Sequence, residues 1–212
     1  MKNKKISLCL MVLSLGIFQI QNSQAFELGV LGGLHYSTLT VDPAVTGDSY
    51  SSPSAPAFGV FIETSMVPLI GFELGAFYVP RKYSVHSLTG NSDVTYGLTQ
   101  FQIPALVRLH LIPFLSFGVG GYYAHSLGDI QADSTVGGVT TSRSITYDSV
   151  NYSQNEFGLL GSVRFEVPIL PLLNIMADAR YLRDLKNINT ASNSITLKLH
   201  GVQVLVGASF GF

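Results

Sequence analysis

The side chains with the greatest chemical potential in this sequence are acids and bases placed at every second position of apolar segments. Successive side chains of a β-strand point to opposite faces, so alternate positions share one face. Glu156 and Arg164, for example, fall on one face of their segment, and Phe157 falls on the other. Over the whole chain, this alternation predicts a network of charges facing one interior, with the members Glu27, Glu63, Glu73, Arg108, His110, Arg164, Glu166, Asp178 and Arg180.

Catalysis by a nucleophile or a metal would need a different pattern. Two histidine–serine pairs, His86–Ser87 and His125–Ser126, suggest a hydrolase at first sight. Adjacent residues on a strand point to opposite faces, however, so neither pair can act directly as base and nucleophile. The five histidines are scattered and lack the spacing of metal ligands. The sequence therefore predicts a non-enzymatic protein with no catalytic residues, no cofactor and no metal.

The composition indicates how the alternating segments pack. The 212 residues are 47% hydrophobic and only 12% charged, against a usual charged share of about a quarter. No internal segment has enough consecutive apolar residues for a membrane-spanning helix. Alternating strands can hide so much apolar surface if they close into a barrel whose apolar side chains face lipid. The sequence therefore predicts an all-β fold, an eight-stranded antiparallel transmembrane outer-membrane β-barrel.

An internal repeat sets the length of the strands. Three segments, which begin at Val67, Ile112 and Leu170, align without gaps, and in each a proline turn is followed ten residues later by a tyrosine. A tilted strand of about this length crosses a bilayer. Together with the first strand, the repeat predicts an aromatic belt of Tyr36, Tyr78, Tyr123 and Tyr181. The predicted strands lie near residues 26–37, 57–66, 70–83, 94–111, 115–126, 154–167, 173–183 and 195–212.

Eight strands bring both chain ends to the periplasm, together with the three proline turns. The longer connections, near 38–56, 84–93, 127–153 and 184–194, would then face outward. The longest of them, 127–153, interleaves Val, Ile and Tyr with polar residues, so it could extend the barrel as a protruding β-ribbon. Exposed strand edges can recruit partner strands, which makes 38–56 and 127–153 candidate sites for an extracellular ligand. A hydrophilic loop without a partner is the alternative.

The N-terminal segment predicts export. Three lysines precede an apolar run, residues 6–20, and a small-x-small cleavage site ends at Ala25. We therefore expect residues 1–25 to be a cleaved signal peptide and residues 26–212 to form the barrel domain in the outer membrane of a Gram-negative bacterium. Loss of the three lysines leaves nine basic and thirteen acidic residues, a formal charge of −4. This balance predicts no nucleic-acid partner.

The last strand ends on aromatic residues. Every second residue from Val202 to Phe212 is apolar, and Phe210 and Phe212 lie at its end. This ending resembles the closing-strand signal by which outer-membrane barrels are recognised and inserted. The resemblance implies that Phe210 and Phe212 are an assembly signal and that the barrel assembly machinery is a partner.

Two further segments extend this resemblance. The opening Leu28-Gly29-Val30-Leu31-Gly32-Gly33-Leu34 and the strand Phe101-Gln102-Ile103-Pro104-Ala105-Leu106-Val107-Arg108 are similar to strands of small outer-membrane β-barrels. The chain resembles the family that includes the PorT-like barrels and, more distantly, the OmpX and OmpA membrane domains. The resemblance implies a barrel surrounded by outer-membrane lipid. The likeness to PorT-like barrels in particular implies a link to secretion.

The size of the barrel decides between two roles for the charges. An eight-stranded barrel is barely wide enough for its own side chains, so paired charges should fill and plug the lumen. A gated or narrow, porin-like pore lined by the same groups is the alternative. We therefore expect an envelope barrel with a plugged lumen, whose external loops serve binding, adhesion or envelope integrity. The second hypothesis is a narrow pore or a transport- or secretion-linked barrel.

Overall fold

The chain folds almost entirely into β-strands. The computed structural model describes residues 26–42, 48–51, 53–67, 69–87, 92–136, 138–150, 152–186 and 196–212. A short 3₁₀ helix, Tyr147–Val150, follows the seventh strand, and no helix among the described residues is long and apolar enough to cross a membrane. The strands are β1 (Phe26–Asp42), β2 (Asp48–Ser51), β3 (Ser54–Val67), β4 (Ile70–Ser87), β5 (Ser92–Ile112), β6 (Leu115–Val136), β7 (Val139–Ile145), β8 (Asn155–Leu170), β9 (Leu173–Asp184) and β10 (Thr196–Gly211).

Eight of these strands close into an antiparallel barrel. Around the ring they follow the order β4, β3, β1, β10, β9, β8, β6 and β5, and β5 pairs with β4 to complete it. The predicted eight-stranded antiparallel barrel is therefore confirmed. Strands four places apart in this ring face each other across the lumen: β4 faces β9, β3 faces β8, and β5 faces β10.

The two faces of the barrel wall have opposite chemistry. On β8, Phe157 and Phe165 point outward and are 52% and 51% exposed, whereas Arg164, which points inward, is fully buried. The same inversion, with apolar side chains outside and charged side chains inside, recurs on β4 and β9. A wall of this kind is stable when lipid covers its outer face and the strands satisfy each other's backbone groups.

Short turns and long connections lie at opposite ends of the barrel. Pro113 and Phe114 form the turn between β5 and β6, and Pro171 and Leu172 form the turn between β8 and β9. Pro68, the third predicted turn proline, lies outside the described residues. We call this end, which also contains the start of β1 and the end of β10, the turn end, and we call the opposite end the loop end.

The strands extend beyond the barrel at the loop end. β4, β5 and β6 continue past the barrel wall, and β2 and β7 add to them, so that a five-stranded sheet runs in the order β2, β4, β5, β6, β7. We call this the external sheet. Gly138, with a φ of 83°, forms the tight turn between β6 and β7.

The external sheet changes the prediction for three of the long connections. Much of 38–56, 84–93 and 127–153 is strand, because backbone pairing continues in register through these polar segments. The segment 127–153 includes the β-ribbon, formed by β6 and β7. Most of the connection 184–194 lies outside the described residues.

The barrel closes along the seam between β1 and β10. Their register runs from Glu27 opposite Gly211 to Asp42 opposite Thr196. At Gly207 the backbones approach so closely that a Cβ atom would overlap the carbonyl oxygen of Val30. A residue without a side chain is therefore required at this point of the seam.

Candidate functional site

Six charged side chains meet in the turn-end half of the lumen. Glu73, Arg108, Arg164, Asp178 and Arg180 are all at most 2% exposed, and Glu63 is 3% exposed. Each stands at an inward position of its strand, which the alternation in the sequence predicted. We call this group the central charge cluster, with the members Glu63, Glu73, Arg108, Arg164, Asp178 and Arg180.

Glu73 is the acceptor shared by all three arginines of the cluster. Its Oε2 accepts hydrogen bonds from Arg108 Nε at 3.0 Å and from Arg164 Nη2 at 2.6 Å, and Arg108 Nη2 donates to the same oxygen. Its Oε1 accepts from Arg180 Nη2 at 2.8 Å. A carboxylate with charge-assisted bonds from three guanidinium groups is held in one position.

Asp178 is the second shared acceptor. Its Oδ2 accepts from Arg164 Nη2 at 3.1 Å and from Arg180 Nη2 at 2.9 Å, and its Oδ1 accepts from the Ser162 hydroxyl at 2.7 Å. Both carboxylate oxygens are therefore bonded. Buried charges require such complete pairing, because an unpaired buried ion costs several kcal/mol.

Several of these bonds span the full width of the barrel. Arg180 on β9 bonds to Glu73 on β4, which is the strand directly opposite. Arg164 on β8 bonds to Glu63 on the opposite strand β3 at 3.2 Å. The cluster therefore crosses the lumen instead of lining one wall.

Aromatic rings pack against the same arginines. The guanidinium carbon of Arg164 lies 4.3 Å from the centre of the Phe61 ring, and that of Arg180 lies 4.6 Å from the centre of the Phe77 ring. Each pair again joins opposite strands. Cation–π contacts of this kind are strongest where water is excluded. Two buried apolar clusters fill the adjoining space, one of Leu31, Ala57, Phe61, Phe77, Val79, Met176 and Leu205, the other of Leu106, Tyr122, Ala124, Leu160 and Leu182.

The remaining predicted members of the network lie nearer the turn end. His110 Nε2 is 2.7 Å from Glu63 Oε1, which places this histidine at the edge of the cluster. Glu27 and Glu166 also point inward, but within the described part of the chain neither lies within ion-pair distance of an arginine. The structure therefore brings seven of the nine predicted residues together and leaves these two acids beside them.

A second charged group occupies the loop-end half of the lumen. Arg81 Nη1 lies 3.1 Å from Glu156 Oε2 and 3.5 Å from Asp184 Oδ2, and Gln100 Nε2 donates to Glu156 Oε1 at 2.6 Å. Arg81 and Asp184 are not among the residues predicted for the network. Continuing the alternation of β4 from Glu73 and Phe77 to Arg81 would have found the arginine.

Two side chains beside this group keep free hydrogen-bonding atoms. Nε and Nη2 of Arg81 and both ring nitrogens of His35 have no protein partner among the described residues, although each side chain is 1% exposed. Buried polar atoms of this kind bond to ordered water. The loop-end half of the lumen therefore has the chemistry of a hydrated space, in contrast to the fully paired central charge cluster.

The 3₁₀ helix places one side chain beside this half of the lumen. Tyr147 is 4% exposed, and Ser126, Glu156 and Arg81 are near enough to act on its hydroxyl. Burial raises the pKa of its hydroxyl, so the phenol stays neutral there.

The predicted belt tyrosines all lie on the outer face of the barrel. Tyr36, Tyr78 and Tyr181 are 40%, 38% and 52% exposed. Tyr78 stacks on Phe58 with ring centres 5.0 Å apart, and the Tyr123 hydroxyl donates to Asn155 Oδ1 at 2.8 Å. An apolar ring with a bonded polar tip suits the interface between lipid tails and head groups.

The predicted assembly residues also face outward. Phe210 and Phe212 are 52% and 68% exposed. The backbone N–H of Phe212 donates to the carbonyl of Phe26 at 2.8 Å, and the two rings lie 6.4 Å apart. The last residues therefore join the barrel seam.

The histidine–serine pairs do not form a catalytic arrangement in the described residues. His125 lies on the outer face, where its Nδ1 is 2.8 Å from Asn155 Oδ1. Ser126 is buried on the inner face beside Gln100. The side chains of His86 and Ser87 lie outside the described part. No three metal-binding side chains are grouped for a metal ion among the residues that the structure describes.

Solved structures of outer-membrane barrels share this fold. OprG from Pseudomonas aeruginosa has 15% sequence identity and a TM-score of 0.54, with 91% of this chain and 98% of OprG covered. The outer membrane protease OmpT from Escherichia coli has 8% identity and a TM-score of 0.50, with 90% of this chain and 98% of OmpT covered. Ail, the attachment invasion locus protein of Yersinia pestis, has 12% identity and a TM-score of 0.43, with 87% of this chain and 99% of Ail covered.

At these identities the likeness to OprG and OmpT shows the fold alone. By sequence, no curated protein matches the chain. The family is shown by a sequence model described as the outer membrane protein beta-barrel domain, which matches residues 6–210. The match spans nearly the whole chain and agrees with the closed barrel and its inverted wall. The chain therefore belongs to the outer membrane protein beta-barrel family.

Proposed function

We propose that this protein is a non-enzymatic barrel of the outer membrane whose own side chains close the lumen. The second half of the proposal is that its external sheet serves binding, adhesion or envelope integrity. The observation that carries the first half is the pairing of arginines and acids across the full width of the barrel, from β9 to β4 and from β8 to β3. In this proposal residues 1–25 are the signal peptide removed on export, and residues 26–212 are the working domain.

The energetics of the central charge cluster support closure. A solute could pass only if the bonds of Arg164 and Arg180 across the lumen opened. Opening exposes buried carboxylates that lose their partners, and each lost partner costs several kcal/mol. The two cation–π contacts, with Phe61 and Phe77, would be lost in the same movement.

The conductance of the purified barrel tests the closure. We expect the refolded mature protein to show no steady single-channel conductance in a planar bilayer. Arg108→Ala removes one of the three guanidinium groups bonded to Glu73, and we expect it to give brief openings at most. Steady conductance of the unmodified barrel, altered by Arg108→Ala, would instead favour the porin-like hypothesis.

The external sheet supports the second half of the proposal. β7 pairs only with β6, and β2 pairs only with β4, in the part of the chain that the structure describes. Each therefore offers one unpaired backbone edge, and such edges accept an added strand from a partner. The segments 38–56 and 127–153, which contain these edges, are the proposed sites for an extracellular ligand.

A narrow pore or a transport- or secretion-linked barrel is the second candidate. The free donors of Arg81 and His35 favour it, because they indicate water in the loop-end half of the lumen. In that case the central charge cluster and the two buried apolar clusters beside it would separate the hydrated half from the turn end, and together they would act as a gate.

Assembly depends, in our proposal, on the last residues of β10 and their recognition by the barrel assembly machinery. Deletion of Phe210–Phe212 removes the hydrogen bond from Phe212 to Phe26 and the aromatic contact beside it. We expect folded, heat-modifiable barrel in the outer membrane to fall to a small fraction of its normal level. Phe165→Ala, which removes an equally exposed ring from β8, is the matched control and should leave the level nearly unchanged. A normal level of the deletion variant would contradict the proposal.

A further inference from the structure

The outward-facing basic residues of the barrel wall all lie at one end. Nine lysines and arginines follow residue 25. Four of them, Arg81, Arg108, Arg164 and Arg180, are buried in the lumen, and Arg143 lies on β7 of the external sheet. The remaining four, at the loop end of the outer face, are Lys82, Arg183, Lys186 and Lys198.

These bases stand just beyond the aromatic belt. Arg183 follows Tyr181 by two residues on β9, and Lys82 follows Tyr78 by four residues on β4. His125 follows Tyr123 in the same way on β6. Towards the turn end, the described outer face carries no charged side chain. The positive charge is therefore at the level of the lipid head groups on one side of the membrane only.

Part of this region forms a polar cradle. Asn155 Oδ1 lies 2.8 Å from the Tyr123 hydroxyl and 2.8 Å from His125 Nδ1. Lys186 Nζ donates to Ser153 Oγ at 2.8 Å and to the carbonyl of Asn155 at 3.3 Å. An ammonium group has three donors, so one donor of Lys186 is left for a ligand. We define the lipid cradle as His125, Asn155 and Lys186 together with Arg183, which lies on the neighbouring strand β9 opposite Leu159 of β8.

The chemistry of the cradle selects phosphate. Arginine binds phosphate oxygens through two parallel donors, and lysine binds them as a point charge. Three acidic residues on the exposed surface are near along the chain: Asp129 and Asp133, which accept from Ser144 and Ser142 of β7, and Asp148 on the 3₁₀ helix. An anionic head group at the level of the belt therefore meets positive charge and free donors, while its acyl chains lie along the rings of Phe157 and Tyr181.

We propose that the lipid cradle binds the phosphomonoester head group of a lipid in the outer leaflet of the outer membrane. The loop end faces outward in barrels of this class, since short turns lie in the periplasm and long connections lie outside. The proposal does not depend on whether the lumen is closed. It makes the lipid a specific partner of one sector of the barrel, formed by β6, β8 and β9.

Lipid enrichment around the barrel tests the proposal. The mature protein is refolded in phosphatidylcholine vesicles that contain a trace of fluorescent lipid A, either bisphosphorylated or dephosphorylated. Energy transfer from the tyrosines of the barrel to the fluorescent lipid measures how strongly that lipid is enriched around the protein. We expect the phosphorylated lipid alone to be enriched. His125→Gln/Arg183→Gln/Lys186→Gln should lower that enrichment by about tenfold or more, since each lysine or arginine near an anionic surface contributes several-fold.

A matched pair of single variants distinguishes lipid binding at the cradle from a general effect of positive charge at the loop end. Arg183→Gln and Arg143→Gln each remove one exposed positive charge at the loop end, and heat-modifiable mobility verifies that both are folded. We expect only Arg183→Gln to reduce enrichment. Equal loss in both variants, or equal enrichment of the dephosphorylated lipid, would overturn the proposal.

Discussion

Arg164→Ala should destabilise the folded barrel by about 3 kcal/mol or more, the cost of removing one partner from a buried ion pair. Arg164 bonds to three acids, Glu63, Glu73 and Asp178, and it is fully buried. Its loss leaves these carboxylates with fewer cations in a space that water reaches poorly. Reversible urea unfolding of the barrel in phosphatidylcholine vesicles, followed by tyrosine fluorescence, measures the change in the free energy of unfolding.

The control for this variant removes the same charge from an exposed position. Arg143→Ala on β7 should change the free energy of unfolding by less than about 0.5 kcal/mol, as exposed substitutions usually do. Arg164→Lys keeps the charge but loses the planar fork, so it should fall between the two. If Arg164→Ala and Arg143→Ala unfolded at the same urea concentration, the central charge cluster would contribute nothing to the stability of the fold.

The sequence predicts that the charged side chains point into the lumen, but it does not predict which of them form ion pairs with each other. The alternation of Glu73 with Phe72 and Leu74 is enough to place this carboxylate inside. That Glu73 meets Arg180 depends on β4 lying opposite β9, which only the closure and stagger of the whole ring determine. Residues more than a hundred positions apart therefore pair without any local signal.

The loop-end features were missed for a different physical reason. Arg81 has Pro80 and Lys82 as neighbours, so the outer face of β4 is no longer apolar there and the alternation is harder to recognise, although the inward register still runs from Glu73 through Phe77 to Arg81. In the external sheet the exposed face is polar, so the apolar stripe that marks the outer face of the barrel strands is absent there, although Tyr83, Ile130 and Ala132 stay buried on the other face. The ribbon of β6 and β7 could be recognised from its interleaved apolar residues, whereas β2, a strand of four residues, carries no such pattern.

Gly207→Ala should impair closure of the barrel, although it adds only one methyl group. The added Cβ would overlap the carbonyl oxygen of Val30 and lie 2.9 Å from its carbonyl carbon and 3.0 Å from the Cα of Leu31. All three atoms belong to the backbone of β1, so the seam between β1 and β10 must shift. Overpacking of this kind costs about 1–3 kcal/mol, more than the 0.4–1 kcal/mol that alanine contributes by restricting the unfolded chain.

The same substitution at Gly161 separates the two contributions. Gly161 lies on the outer face of β8, and nothing lies within 4 Å of a Cβ placed there. Gly161→Ala therefore lowers the conformational entropy of the unfolded chain without creating an overlap in the folded barrel. Its urea midpoint should rise slightly, whereas the urea midpoint of Gly207→Ala should fall. Opposite signs from one chemical change would locate the cost at the seam. Equal shifts in the two variants would mean that β1 and β10 can separate there without loss, and that barrel closure does not depend on their close approach.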